Sequence, residues 1–89
     1  MSIERDLTVI NKAGMHLRAA SKIVSALKDF DCTVELSFQN RTANAKSIMS
    51  IAQLMAPKGS TLHMNASGPD AAQATQVLDR LFAEKFGEE

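Results

Sequence analysis

One cysteine, two prolines, no tryptophan and no tyrosine among 89 residues leave several classes of protein without their materials. The single thiol, Cys32, excludes an internal disulfide, and with His16 and His63 as the only histidines a structural zinc site lacks ligands. No metal and no other cofactor is expected. No apolar run approaches the roughly 20 residues that cross a bilayer. The stretch Met1-Ser2-Ile3-Glu4-Arg5-Asp6 is charged where a secretory signal would be apolar. A cytoplasmic protein without membrane insertion is therefore expected. Charge of neither sign predominates, since ten Lys/Arg stand against ten Asp/Glu, and formal neutrality argues against a basic nucleic-acid-binding face.

What is present is aliphatic. With four Phe as the only aromatics, packing must rest on Leu, Ile, Val, Met and Ala, enough for one small core and too little for a second. A single domain over residues 1–89 is expected, and a monomer.

The periodicity divides the chain cleanly. Ile3, Leu7 and Val9 share one parity, interrupted by Arg5, and predict a strand over about residues 3 to 10. Asn11-Lys12-Ala13-Gly14 ends it as a loop. From Leu17 the spacing changes to i, i+3, i+4, i+7 at Ala20, Ile23, Val24 and Leu27, an amphipathic helix with Phe30 just beyond. Cys32, Val34, Leu36 and Phe38 alternate with polar residues as a second strand. Gln39-Asn40 predicts a tight turn in which Asn takes the positive φ, and Arg41 to Ala45 returns as the antiparallel partner.

Ser47 then precedes a short apolar helix that stops before Pro57-Lys58-Gly59, and Leu62, Met64 and Ala66 form the last strand, with His63 on its outward side. Gly68-Pro69-Asp70 opens a final helix, Pro suiting its first position and Asp70 its first turn. Its inward face is Ala71, Ala74, Val77 or Leu78, Leu81 and Phe82, ending near Gly87. The order βαββαβα, with one apolar face per strand, implies an α+β two-layer sandwich with helices on one side of an antiparallel sheet.

Gly14-Met15-His16-Leu17-Arg18 carries the chemistry. It puts an imidazole and a guanidinium where an extended segment turns into a helix, and helix starts present unpaired N–H groups and partial positive charge. Taken locally, His16 is a polar helix cap and Arg18 a solvated first-turn side chain. Taken together they can receive a phosphoryl group, the cation standing where an anion is to come. The helix after Ser47 has more apolar residues than one buried face accepts, so some of Ile48, Met49, Ile51, Ala52, Leu54 and Met55 should be exposed; the bland alternative is that they fill the core.

The joint occurrence of Gly14-Met15-His16 with Arg18, Phe30, Ala45-Lys46-Ser47-Ile48-Met49, Lys58-Gly59 and Gly68-Pro69-Asp70-Ala71 resembles the HPr family, the histidine-containing phosphocarriers of the bacterial phosphoenolpyruvate-dependent phosphotransferase system. The resemblance implies an open-faced sandwich with a four-stranded antiparallel sheet in the order first, fourth, second, third, covered on one face by three helices. It implies a carrier rather than an enzyme, in which His16 accepts a phosphoryl group on Nδ1 from Enzyme I. Arg18 would stabilise that group before a sugar-specific or nitrogen-related acceptor takes it. Ser47 matches a serine phosphorylated in part of the family by a dedicated kinase, and Ile48, Met49 and Ala52, rimmed by Lys28 and Lys46, match its docking patch.

Two points separate this chain from the usual pattern. Ala19 stands where the family usually has proline, which frees one backbone N–H beside the phosphate site and loosens the helix start. Asn11-Lys12-Ala13-Gly14-Met15-His16 and Phe86-Gly87-Glu88-Glu89 look like the nitrogen-related branch, whereas the segment around Ser47 looks like the sugar-system or kinase-regulated form. The rival functions are a regulatory binding module of nitrogen-system or catabolite-control type, and a ferredoxin-like nucleic-acid binder. The latter lacks the paired strand aromatics it would need, having only Phe38.

Overall fold

Arg5, the residue that breaks the apolar alternation of the first strand, shows how the layers meet. The computed structural model describes residues 2–88; Met1 and Glu89, the limits of the expected unit, lie outside them. Strand β1 (Ser2–Thr8) turns Ile3 and Leu7 toward the helices, and Arg5, on the same side near the sheet margin, pairs with Asp79 of helix α3 (Ala71–Ala83) instead of entering the core. A charge at that site costs little because both partners stay partly in water.

The remaining elements are α1 (Leu17–Leu27), β2 (Thr33–Phe38), β3 (Arg41–Asn44), α2 (Ile48–Ala52) and β4 (Thr61–Ser67). The sheet runs β1-β4-β2-β3 with every pairing antiparallel. Register explains the division of faces: Leu7 opposes Leu62, Ile3 and Val34 flank Ala66, and Leu36 lies between Met64 and Ala43. All of these but the half-buried Ile3 are buried against the helices. The opposite face is built from Glu4, Asp6, Glu35, Thr61, His63 and Asn65 and meets water. The result is the α+β open-faced sandwich that the pattern implied.

Several boundaries moved for physical reasons. β1 ends at Thr8, but Val9 is buried and continues the pairing, donating to the Ser60 carbonyl at 2.8 Å. At the β2–β3 turn Gln39, not Asn40, takes the positive φ of 57°. α1 buries Ala19, Ala20, Ile23 and Leu27, leaving Val24 partly exposed. In α3 the choice between Val77 and Leu78 falls to Leu78, and Thr75 is also buried, its hydroxyl donating to the Ala71 carbonyl at 2.8 Å. Pro69 lies before the helix. Asp70 is the residue preceding the first turn, yet its carboxylate makes no cap; it accepts from Asp31 N–H at 2.7 Å, tying the start of α3 to the α1–β2 loop.

Past α3 the chain does not simply stop. Lys85, Phe86 and Gly87 take φ of 57°, 55° and 77°, a left-handed turn that brings Phe86 back into the core, edge-on to Phe82 with ring centroids 4.8 Å apart.

Candidate functional site

The site begins with a glycine that must be one. Gly14 has φ +74°, and a Cβ there would lie 2.9 Å from the Ala56 carbonyl oxygen and 3.1 Å from Pro57 Cα. This close approach lets Met15 N–H donate to Ala56 at 2.8 Å while the Met15 side chain buries. With Met15 anchored inward, the next side chain faces out. His16 therefore sits as the extended N-cap of α1 (φ −117°, ψ −178°), and its carbonyl accepts the first helical bond, from Ala20 N–H, at 2.9 Å.

The two ring nitrogens are told apart by their partners. Nδ1 accepts from Arg18 N–H at 3.1 Å, so it carries a lone pair and no proton. Nε2 lies 3.0 and 3.1 Å from the two carboxylate oxygens of Glu88, so it carries the proton and donates. A neutral imidazole held this way presents its unprotonated nitrogen over the amide groups that open α1. The ring is 31% exposed, open enough for a group to reach Nδ1. Arg18 is exposed, and its guanidinium makes no ion pair among the described residues.

Glu88 is the residue that local pattern did not find. The His16 hydrogen bond, and after it one from Asn11, holds its carboxyl below the usual range, with the nearby charge of Arg18 acting in the same direction against the cost of burial. Asn11 is fully buried; its Nδ2 donates to the Gly14 carbonyl at 2.8 Å and to Glu88 at 2.9 Å, bracing the loop and the carboxylate together. Phe86, also missed, anchors the turn from which Glu88 extends. The sequence signal was a polar residue at the end of a strand and an acidic one beyond an aromatic-glycine pair, neither legible without the contact that spans 77 positions.

Ser47 is the N-cap of α2, its Oγ accepting from Ser50 N–H at 3.3 Å. Of the apolar residues after it, Ile51 is buried, Ala52 half-buried, Ile48 exposed and Met49 61% exposed. Met55, beyond α2, is exposed as the apolar excess of this segment implied for some of its residues, and Leu17 of α1 is exposed as well, which the sequence pattern did not indicate. Lys28 is exposed at the end of α1, whereas Lys46 is half-buried with its ammonium donating to the Phe30 carbonyl at 2.6 Å. His63 stands on the open sheet face between Asp6 (3.0 Å) and Glu4 (2.7 Å), away from this group. Among the described residues there is no cluster of three or more His, Cys, Asp or Glu suited to a metal ion, and no helix is long and apolar enough to cross a membrane.

Residues 3–84 match the family described as "PTS HPr component phosphorylation site". The chain is 41% identical over 86 residues to the phosphocarrier protein HPr of Cupriavidus necator, covering 97% of each chain, and 39% identical over 87 residues to that of Xylella fastidiosa, covering 98% of each. In three dimensions it is similar to the crystal structure of HPr-C-His from Thermoanaerobacter tengcongensis, with a TM-score of 0.91, 34% identity and 98% of each chain covered. With sequence and fold agreeing over nearly the whole length, the chain belongs to the HPr family, the phosphocarriers of the phosphotransferase system.

Proposed function

We propose that this chain carries a phosphoryl group on Nδ1 of His16, taking it from phospho-Enzyme I and giving it to a later phosphotransferase component. The observation that carries the reading is the ring's tautomer: the nitrogen without a proton is the one facing the start of α1. The Nδ1 lone pair attacks phosphorus, and the bond from phosphorus to the donor breaks with its electron pair going to the donor. No proton moves. The incoming oxygens then take over the Arg18 N–H and its neighbours, and the guanidinium supplies a cation beside them.

Onward transfer sets an upper limit on this hold. Each factor of ten in phosphoryl affinity costs about 1.4 kcal/mol of driving force for the next step. An exposed, half-assembled anion site therefore suits a carrier better than a closed one. Such a protein is consumed and regenerated, so it acts as a carrier and not as an enzyme.

Ser47 serves as a regulatory phosphorylation site in this reading. A phosphate on its Oγ would stand at the start of α2, and the exposed Ile48 and Met49, with half-buried Ala52 and the cation of Lys28, form the face that meets Enzyme I. The half-buried Lys46 ammonium keeps its charge while donating to the Phe30 carbonyl, and adds to the positive rim of that face from there. The protein works as one cytoplasmic, monomeric unit.

The test is direct. Incubation with phosphoenolpyruvate and catalytic Enzyme I should add one acid-labile phosphoryl group by intact mass, and His16→Ala should take none. An acid-stable product, or labelling of His16→Ala, would refute the assignment. Treatment with ATP and the serine kinase should modify the protein but not Ser47→Ala.

A further inference from the structure

Why the chain past α3 returns to the site at all is unexplained by carrying a phosphoryl group on Nδ1. Three consecutive residues, Lys85, Phe86 and Gly87, adopt left-handed backbone, and for the two that are not glycine this costs on the order of 1 kcal/mol each. The turn is held by what surrounds it. Phe86 is 1% exposed against Phe82, and Lys22 of α1 donates its ammonium to the Phe86 carbonyl. Glu88 then receives Asn11 Nδ2 and His16 Nε2 on the same oxygen. Two buried anchors and a lysine thus serve to place one carboxylate.

We propose that Glu88 is a positioning residue for the phosphorylated state, keeping the Nε2 proton on the ring while Nδ1 carries phosphorus and so keeping the phosphoryl group transferable. The inference rests on the carrier reading above. When Nδ1 bonds to phosphorus and Nε2 keeps its proton, the ring bears a positive charge, and the carboxylate 3.0 Å from Nε2 compensates it. Onward transfer then breaks the N–P bond with its electron pair returning to Nδ1, and the leaving group is neutral imidazole, already in the tautomer that starts the next cycle. If the phosphorylated ring lost the Nε2 proton, the same step would have to expel an imidazolate anion, a far poorer leaving group.

Apart from the negative charge of the phosphoryl group itself, the other charges around the ring favour that loss. Arg18 and Lys22 of α1 and the open end of that helix are positive, and the loops beside Gly14 carry Lys12 and Lys58. Glu88 is the acidic side chain that contacts the ring.

The test uses Glu88→Gln, which keeps shape and an accepting oxygen but removes charge, beside Glu88→Ala, which removes both. Both proteins are phosphorylated by Enzyme I and the rate of phosphoryl loss is followed against pH. An opposite charge at this distance moves a titration by one to three units, and with part of the site in water the lower end applies. The pH at which loss slows should fall by about one unit in Glu88→Gln, and near neutral pH the back-transfer rate to Enzyme I should fall about tenfold. In the unmodified proteins, 15N shifts should show Nε2–H as the main tautomer of the parent and a mixture in Glu88→Ala. Coincident pH profiles for parent and Glu88→Gln would overturn the role of Glu88 alone, whereas a parent ring protonated on Nδ1 would overturn that role and also remove the tautomer on which the carrier reading stands. A parent that takes no phosphate on His16 would overturn the carrier reading as well.

Discussion

Replacing Ala19 by proline, the family's usual residue at this position, separates stability from phosphoryl affinity in one substitution. Ala19 is the third residue of α1, and the first i→i−4 bond of the helix is made one residue later, by Ala20 to His16. Its N–H is thus among the donors with no partner inside the helix, and proline removes no helical bond. Restricting the unfolded chain contributes about 0.4–1 kcal/mol of stability. For a chain of this size that raises Tm by about 2–8 °C. The gain depends on neighbours of the fully buried Ala19 side chain admitting two more ring carbons.

The effect on function runs the other way. A hydrogen bond to a charged acceptor contributes about 1.5–3 kcal/mol. Where water competes, as at this partly open ring, about 1 kcal/mol is the better figure, equivalent to roughly a fivefold change in an equilibrium constant. Ala19→Pro should therefore melt higher and hold its phosphoryl group about fivefold less tightly when equilibrated against one preparation of Enzyme I. The assay is the ratio of phosphorylated to free protein at fixed phosphoenolpyruvate and pyruvate. A folded Ala19→Pro protein with an indistinguishable ratio would remove the extra amide from the account.

Other perturbations test separate parts of the structure. Met49→Glu places a charge on a side chain already 61% exposed, so Tm should shift by no more than about 0.5 kcal/mol's worth while phosphorylation by Enzyme I slows; an unchanged rate would remove α2 from the interface. Ser47→Ala should lose the α2 cap, about 1 kcal/mol or roughly 4–8 °C in Tm, with His16 still phosphorylated; unchanged melting would show that the Ser50 N–H finds another acceptor. His63 is held above the ordinary histidine value by its hydrogen bonds to Asp6 and then Glu4. Folding therefore binds its proton more tightly, and the stabilisation is full below about pH 6.5 and fades as pH rises through the raised value. The Tm advantage of the parent over His63→Gln should shrink with rising pH, and a gap that widens would contradict that sign.

Much of the sandwich could be read from residue spacing because the signals are local. The two-residue alternation at Val34, Leu36 and Phe38 and the helical spacing at Ala20, Ile23 and Leu27 each report which side meets the core. The order of strands is not local, and it came from the resemblance, not from any spacing. Two clamps escaped the reading for the same reason. Asp70 has the chemistry of a helix start and spends it on Asp31, and Glu88 reaches His16 across 72 positions. Left-handed backbone at Gln39, Lys85 and Phe86 leaves no mark on sequence either, since these residues adopt it under tertiary constraint and not by preference. That His16 and Arg18 stand at a helix start was legible from the change of period at Leu17, their role was implied only by the resemblance, and the hydrogen bonds that distinguish Nδ1 from Nε2 exist only in the folded chain.

The chemistry of this carrier turns on which nitrogen reacts. After Enzyme I has loaded the 15N-labelled protein, one-bond 31P–15N coupling identifies the ring atom bound to phosphorus. Coupling to Nδ1 of His16, with Nε2 still protonated, is the predicted result. Phosphorus on Nε2, the atom facing Glu88, would contradict the account.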